Sequence, residues 1–83
     1  MSALDAAVEA QIEAACPSLT AARAFELADA IECEIEPGES WVPSRLARKI
    51  GCRTHEAGQV LDWMVSQHYL RCDDRGAWTH YFR

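Results

Sequence analysis

The first half of this chain almost lacks positive charge. Residues 1–40 contain one basic residue, Arg23, and nine acidic residues, so this half carries a net charge of −8. Residues 41–83 contain seven basic and four acidic residues and carry +3, which leaves −5 for the whole chain of 83 residues. A uniformly positive surface is therefore excluded, but the second half can still present a local surface that attracts phosphates.

The chain also lacks a long hydrophobic run. No stretch approaches the roughly 20 apolar residues that a helix needs to cross a bilayer. The N-terminus has no basic segment followed by an apolar run, which is the pattern of a secretory signal. We therefore expect a cytoplasmic protein that does not contact a membrane.

Closely spaced cysteines are missing as well. Cys16, Cys33, Cys52 and Cys72 are separated by 17, 19 and 20 residues, whereas zinc sites and redox motifs use close pairs. We interpret them as reduced thiols, although an even number also permits two disulfides. Cys52 and His55 have the spacing of a nucleophile and a base, but no third orienting group accompanies them. The sequence thus predicts no catalytic residue, no metal site and no cofactor.

Large apolar side chains are scarce before residue 41. Eleven of the fourteen alanines lie there, whereas all three tryptophans and both tyrosines follow residue 40. A chain of this length forms a single domain whose core is only just sufficient for independent folding. A large catalytic cleft is therefore not expected, and the N-terminal helices should mainly support the C-terminal part.

Helical spacing predicts two helices in this alanine-rich half. Ser2 and Asp5 form a capping pattern for the first helix, which ends before Pro17. The second helix is expected to begin near residue 18 or 20 and to end near Ile35. The apolar faces of the two helices are predicted to consist of Leu4, Ala7, Val8, Ile12 and Ala15, and of Ala21, Ala24, Phe25, Leu27, Ala28, Ile31 and Ile35.

Two further helices separated by a sharp turn are predicted after residue 43. Ser44 is placed to cap a short helix from Arg45 to Ile50, and Gly51 tolerates the positive φ of a tight turn. The next helix should begin near Thr54 and extend to about residue 67. Its predicted packing side consists of Ala57, Val60, Leu61, Met64 and His68, and its predicted exposed side of His55, Gln59, Asp62 and Ser66.

The chain after residue 68 changes to a period of two, which is typical of strands. We predict strands over 69–72 and 77–82, joined by a four-residue turn over 73–76 that ends in Gly76. Trp41 and Val42 form at most a minimal strand. Trp63, on the flank of the preceding helix, is expected to cover the second helix or Trp41.

The segment SRLARKIGC at 44–52, the apolar spacing at Ala57, Val60, Leu61 and Met64, and the C-terminal hairpin together resemble the winged helix-turn-helix domains of small transcription regulators. The resemblance covers about residues 20–83. It implies a mainly α fold with a small β-hairpin, of the α+β class, as one domain over 1–83. In this scheme residues 1–16 are an additional helix, 18–83 form the winged helix-turn-helix, and about 69–83 form the wing.

This resemblance implies a regulator that binds double-stranded DNA. Basic residues on the short helix and its turn would hold phosphates, the following helix would contact bases, and the hairpin tip would enter a minor groove. A homodimer through residues 1–16 would double the DNA contacts. The residues implied in DNA binding are Ser44, Arg45, Arg48, Lys49, Arg53, Thr54, His55, Gln59 and Arg75.

A second interpretation is a winged helix that binds protein rather than DNA. The sequence pI is near 5.0, and Glu56 and Asp62 on the presumed DNA-contacting helix would repel phosphates unless each met a cytosine amino group. The acidic first half could then bind a basic partner. Replacement of Arg48, Lys49 and Arg53 with alanine separates the two interpretations.

Overall fold

The computed structural model describes residues 3–83, and within them the chain is an α+β protein. These residues contain four helices and three short strands, and the strands form one antiparallel sheet. One strand lies between the second and third helices, and the other two follow the fourth helix. The predicted α+β class is thereby confirmed. The elements are α1 (Ala3–Ala15), α2 (Ala21–Glu34), β1 (Ser40–Trp41), α3 (Pro43–Ile50), α4 (Thr54–Ser66), β2 (Arg71–Arg75) and β3 (Trp78–Phe82).

The first two helices end and begin where the sequence predicts. The Thr20 side chain accepts a hydrogen bond from the Arg23 N–H at 3.2 Å, which caps α2. On α1, Ile12 is fully buried, but Ala7 and Ala15 are exposed, so the predicted apolar stripe was too wide. Ser2, the predicted cap, lies outside the described residues, as do the side chains of Leu4 and Val8.

Helix α3 begins earlier than predicted, so the capping role assigned to Ser44 is wrong. Pro43 is its first residue and Val42 its N-cap, without a side-chain hydrogen bond. Proline suits this position because its φ is already helical and its missing N–H would have no partner there. At the other end Gly51 has φ of 78° and donates its N–H to the Ala47 carbonyl at 2.9 Å. The predicted sharp turn at Gly51 is confirmed.

The sheet differs from the predicted hairpin in two ways. Its strand order is β1-β3-β2, and the pairing of Trp41 with Tyr81 adds β1 as a third strand. Strand β2 continues to Arg75, and Gly76 (φ 69°) and Ala77 form the connection to β3. The predicted four-residue turn was wrong because residues 73–75 pair with β3 across the hairpin.

The core lies between α1, α2, α3 and α4 and one face of the sheet. As predicted, α4 buries Ala57, Val60, Leu61 and Met64. Trp63 is also buried, and its ring meets Phe25 of α2 edge-on at 6.2 Å, which confirms the predicted contact with the second helix. The buried cluster consists of Ile12, Cys16, Ala24, Leu27, Ala28, Ile31, Ile35, Trp41, Leu46, Val60, Leu61, Trp63, Met64, Leu70 and Tyr81.

His68 does not pack on the apolar side of α4. It lies after the helix ends, is exposed, and has φ of 65°. The helical periodicity that predicted its burial stops at Ser66, because the left-handed backbone at His68 turns the chain toward β2. The predicted packing role of His68 was therefore wrong.

Candidate nucleic-acid interface

Helix α4 presents an open face to solvent. Thr54, His55 and Asp62 are exposed along it, and Gly58 lies between them on the same side. A Cβ atom added at Gly58 would meet no heavy atom within 4 Å, so no described residue is packed over this point. This face of α4 is therefore available to a ligand over more than two helical turns.

The basic side chains of α3 and of the residue before α4 form no ion pair with a described carboxylate. Arg45, Arg48 and Lys49 are exposed on α3, and Arg53 is exposed immediately before α4. Among the side chains that the structure describes, Ala7 and residues 9–83, the ion pairs shorter than 4.0 Å are Arg23 with Glu26, and Arg75 with Asp73. Neither pair involves α3 or the turn after it. The three cations of α3 line one cleft and so form a positive surface, and neither they nor Arg53 have an ion pair with a described carboxylate.

Trp41 supports one end of this positive surface. The Arg45 guanidinium lies over the Trp41 ring, 4.2 Å from its centre, a distance suited to cation–π attraction. Trp41, Arg45, Arg48 and Lys49 line a shallow cleft of about 390 Å³. The ring therefore holds the Arg45 guanidinium on the exposed side of α3.

A second groove lies between α4, the start of α3 and the hairpin, with a volume of about 350 Å³. Trp78 forms one wall and is 61% exposed, which is unusual for so large an apolar side chain. Asp62 is its charged lining residue. The groove is lined by Pro43, Ser44, Thr54, Gly58, Asp62, Ala77, Trp78, Thr79 and Tyr81.

Asp62 is held in this groove by Tyr81. The Tyr81 hydroxyl donates a hydrogen bond to Asp62 Oδ1 at 2.5 Å, within the range of O–H to carboxylate bonds. Burial of the tyrosine, with the adjacent Asp62 carboxylate, raises the pKa of Tyr81 above its ordinary value of 10.0. Tyr81 therefore remains a hydrogen-bond donor to Asp62 at neutral pH.

Gln59, a predicted site residue, and Glu56, an acidic residue of the same helix, both form hydrogen bonds within the protein. Gln59 is half-buried, donates from Nε2 to Ser18 Oγ at 3.0 Å, and accepts from the Ser18 N–H at 3.3 Å. The predicted full exposure of Gln59 was therefore wrong, because the connection between α1 and α2 passes beside it. Glu56 accepts from the Arg53 N–H at 3.0 Å and so caps α4 rather than facing outward.

Arg75 lies beside the hairpin turn, as predicted, but on a different depression from the groove of α4. Its Nε lies 3.2 Å from Asp73 Oδ2, and both side chains are about half exposed. Arg75 also lines a small hollow with Glu39, Phe82 and Arg83. The structure therefore brings Ser44 and Thr54 together, and separates them from Arg75.

The site residues predicted from the sequence did not include Tyr81 and Trp78. The signal for Tyr81 was present, because strand alternation places it on the same face of the sheet as the buried Trp41. No pattern in the sequence indicated that this face meets Asp62, since the two residues are 19 positions apart and belong to different elements.

Cys52 and Cys16 have thiols that ionise less readily than a free cysteine. Burial and the neighbouring Glu56 raise the pKa of Cys52 above its ordinary value of 9.0, and burial also raises that of Cys16. A raised pKa keeps a thiol protonated, whereas a nucleophile needs the thiolate. Over the described residues, no three potential metal ligands cluster together, and no helix has the length and apolarity to span a membrane.

Comparison with protein-family models, with curated proteins and with solved structures finds no match to this chain. The resemblance to winged helix-turn-helix domains therefore rests on the residues and the geometry alone.

Proposed function

We propose that this protein is a winged helix-turn-helix that binds double-stranded DNA. The arrangement that supports the proposal is α3, a sharp turn at Gly51 and α4, followed by a hairpin whose second strand pairs with a short strand before α3. In such domains the second helix of the pair enters the major groove, and here the hairpin tip would enter the adjacent minor groove. Helix α1 is the additional element of the fold.

The observation that carries the proposal is the unneutralised positive charge beside an open helix face. Arg48, Lys49 and Arg53 have no described carboxylate within ion-pair distance, although the chain as a whole is acidic. Phosphates along DNA supply the missing negative charge, and the release of their counterions drives binding. Arg45 has the same charge but stacks on Trp41, so it reaches phosphate from a fixed position.

The direct test is a fluorescence polarisation titration of a random-sequence duplex at about 50 and about 200 mM salt. We expect binding at the lower salt and a steep loss of affinity at the higher salt. Arg48→Ala should weaken binding and reduce the slope of log K against log salt by about 1, because it removes one phosphate contact. Absence of binding at about 50 mM salt would overturn the proposal.

Arg23→Ala is the matched control for Arg48→Ala. Both variants lose one exposed arginine, but Arg23 lies on α2 and is already paired with Glu26 at 3.3 Å. The proposal requires Arg23→Ala to retain the salt slope of the unmodified protein. The triple replacement of Arg48, Lys49 and Arg53 with alanine should abolish binding while the circular dichroism spectrum is retained.

A homodimer belongs to the same proposal. One module of this size contacts few base pairs, and two copies on neighbouring half-sites would raise both affinity and specificity. Residues 1–16 remain the proposed contact between the copies. Sedimentation equilibrium with and without duplex measures this directly.

A specific observation also favours a second candidate, a module that binds a basic protein segment. Phe25, Trp63 and Tyr69 line a hollow of about 180 Å³, with Asp29 and Glu32 also lining it. Tyr69 is 60% exposed there. If this were the main function, charge reversal at Asp29 or Glu32 would abolish it, whereas alanine at Arg48, Lys49 and Arg53 would not.

A further inference from the structure

The groove between α4 and the hairpin contains one charged side chain, which is negative. Asp62 is exposed, whereas the other residues that line this groove are uncharged. A carboxylate repels phosphates, so its presence in a DNA-binding face needs a reason. The arrangement of the residues around it supplies one.

Asp62 has a defined orientation with one oxygen free. Its Oδ1 accepts the hydrogen bond from Tyr81, whose ring is buried in the core and whose position is therefore fixed. Oδ2 has no hydrogen-bond partner among the described residues. A side chain that is fixed through one oxygen presents the other as an acceptor in one direction, without losing rotational freedom when a ligand binds.

Gly58 gives a ligand access to that acceptor. It lies four residues before Asp62, and therefore one turn away on the same side of α4. The space where its side chain would lie is open, and Thr54 continues the same side for one more turn. A base edge can thus approach the helix backbone beside Asp62.

The chemistry of the major groove selects the base. A carboxylate only accepts hydrogen bonds, and the base edges in that groove offer two donors, the N4 amino group of cytosine and the N6 amino group of adenine. Adenine places its N7 acceptor beside the amino group, and guanine presents N7 and O6, both acceptors. Cytosine is therefore the base that places a donor there without an adjacent acceptor.

We propose that Asp62, oriented by Tyr81, is a specificity-determining residue that accepts a hydrogen bond from the N4 amino group of one cytosine in the DNA site. This inference rests on the proposed function. It adds a contact that discriminates between sequences to the phosphate contacts of α3, which do not.

The test is selection of duplexes from a random library at about 50 mM salt, with the unmodified protein and with Asp62→Asn. We expect sites with cytosine at one position, where any other base lowers affinity about five- to a hundredfold. Asp62→Asn should abolish the cytosine preference, because the amide oxygen takes over the bond from Tyr81 and the free group becomes an amino donor, which suits base acceptors such as N7 and O6 of guanine. Polarisation titrations of the selected duplex and of its single-base variant provide the affinities.

Asp29→Asn is the matched control, since it removes one exposed carboxylate from α2 and leaves the groove unchanged. It should retain the cytosine preference. Sites without an invariant cytosine, or a cytosine preference that Asp62→Asn leaves intact, would overturn the inference while DNA binding itself stands. Failure of every duplex to bind would overturn both this inference and the proposed function.

Discussion

Single residues in this protein owe their roles to contacts across the sequence. Tyr81 joins the sheet to α4 through its bond to Asp62, and Gln59 joins α4 to the connection between α1 and α2 through Ser18. Both bonds involve residues at the edge of the proposed DNA-contacting face. At this scale the protein uses neutral hydrogen-bond partners to fix the groups around the site.

Replacement of Tyr81 with phenylalanine should lower stability and change its dependence on pH. The folded protein holds the phenolic proton more tightly than the unfolded chain, because the pKa of Tyr81 is raised. The contribution of this group to the free energy of unfolding is therefore constant below pH 10 and falls above it, by at most about 1.4 kcal/mol per pH unit. Tyr81→Phe should lose about 1 kcal/mol at neutral pH and show a shallower decline above pH 10, as measured by urea unfolding.

Tyr69→Phe is the control, since it removes an exposed hydroxyl group and leaves the bond to Asp62 in place. The thiols of the buried Cys16 and the half-buried Cys52 start to weaken folding near pH 9 in both variants, since desolvation raises their pKa values as well. A decline as steep in Tyr81→Phe as in Tyr69→Phe would contradict the prediction.

The helices differ in how their ends are stabilised. Thr20 caps α2 with its side chain, Glu56 caps α4, and α3 begins with Pro43 and ends at Gly51. The Arg83 guanidinium donates to the carbonyls of Glu32 and Ile35, the former in the last turn of α2 and the latter its C-cap. That contact places a positive charge at the negative end of the α2 dipole and attaches β3 to α2.

Two glycines on the α3–α4 unit should respond in opposite ways to alanine. Gly51 has φ of 78°, which costs an alanine about 1–2 kcal/mol, so Gly51→Ala should destabilise the protein. Gly58 lies within α4 and has open space for a Cβ, so Gly58→Ala should stabilise it by roughly 0.5–1 kcal/mol. Chemical denaturation of both variants under the same conditions measures the difference.

At neither position does an added Cβ meet a heavy atom within 4 Å. A stability change of opposite sign in the two variants would therefore come from the backbone conformation and not from steric contacts. Equal effects from the two substitutions would show that φ does not determine their cost.

At the scale of the whole molecule, charge is separated between two surfaces that share one core. The basic residues of α3 and its turn lie in the half that also supplies most large aromatic side chains, and the acidic residues of α2 lie in the other. Helix α1 is more than an accessory to this core. Its Ile12 and the adjacent Cys16 are fully buried among residues of the other helices.

Replacement of Ile12 with alanine should therefore destabilise the whole domain by about 2–4 kcal/mol, through lost burial and the cavity left behind. Far-ultraviolet circular dichroism and tryptophan fluorescence should report the same transition, because α1 and the rings of Trp41 and Trp63 share the core. Gln11→Ala, at an exposed neighbouring position, should change stability by less than about 0.5 kcal/mol. Separate transitions for the two probes would show instead that α1 unfolds independently.

The sequence by itself determined the elements that depend on local physics. Helical periodicity located α2 and α4, Gly51 marked the turn between α3 and α4, and charge counts located the basic surface. These features depend on neighbours within a few residues, which a sequence shows directly. The predicted turn at residues 73–75 was wrong although its cause is also local, because Arg75 pairs with Trp78 and the hairpin needs only Gly76 and Ala77 as its connection.

The tertiary structure alone decided which groups surround the proposed site. In the folded protein Gln59 is hydrogen-bonded to Ser18, and Tyr81 is hydrogen-bonded to Asp62. Trp78 and Gly58 line the same groove. None of these contacts follows from spacing, because each joins elements whose relative positions are fixed only when the shared core packs. The same packing determined that the cations of α3 have no described carboxylate within 4.0 Å, which composition could not reveal.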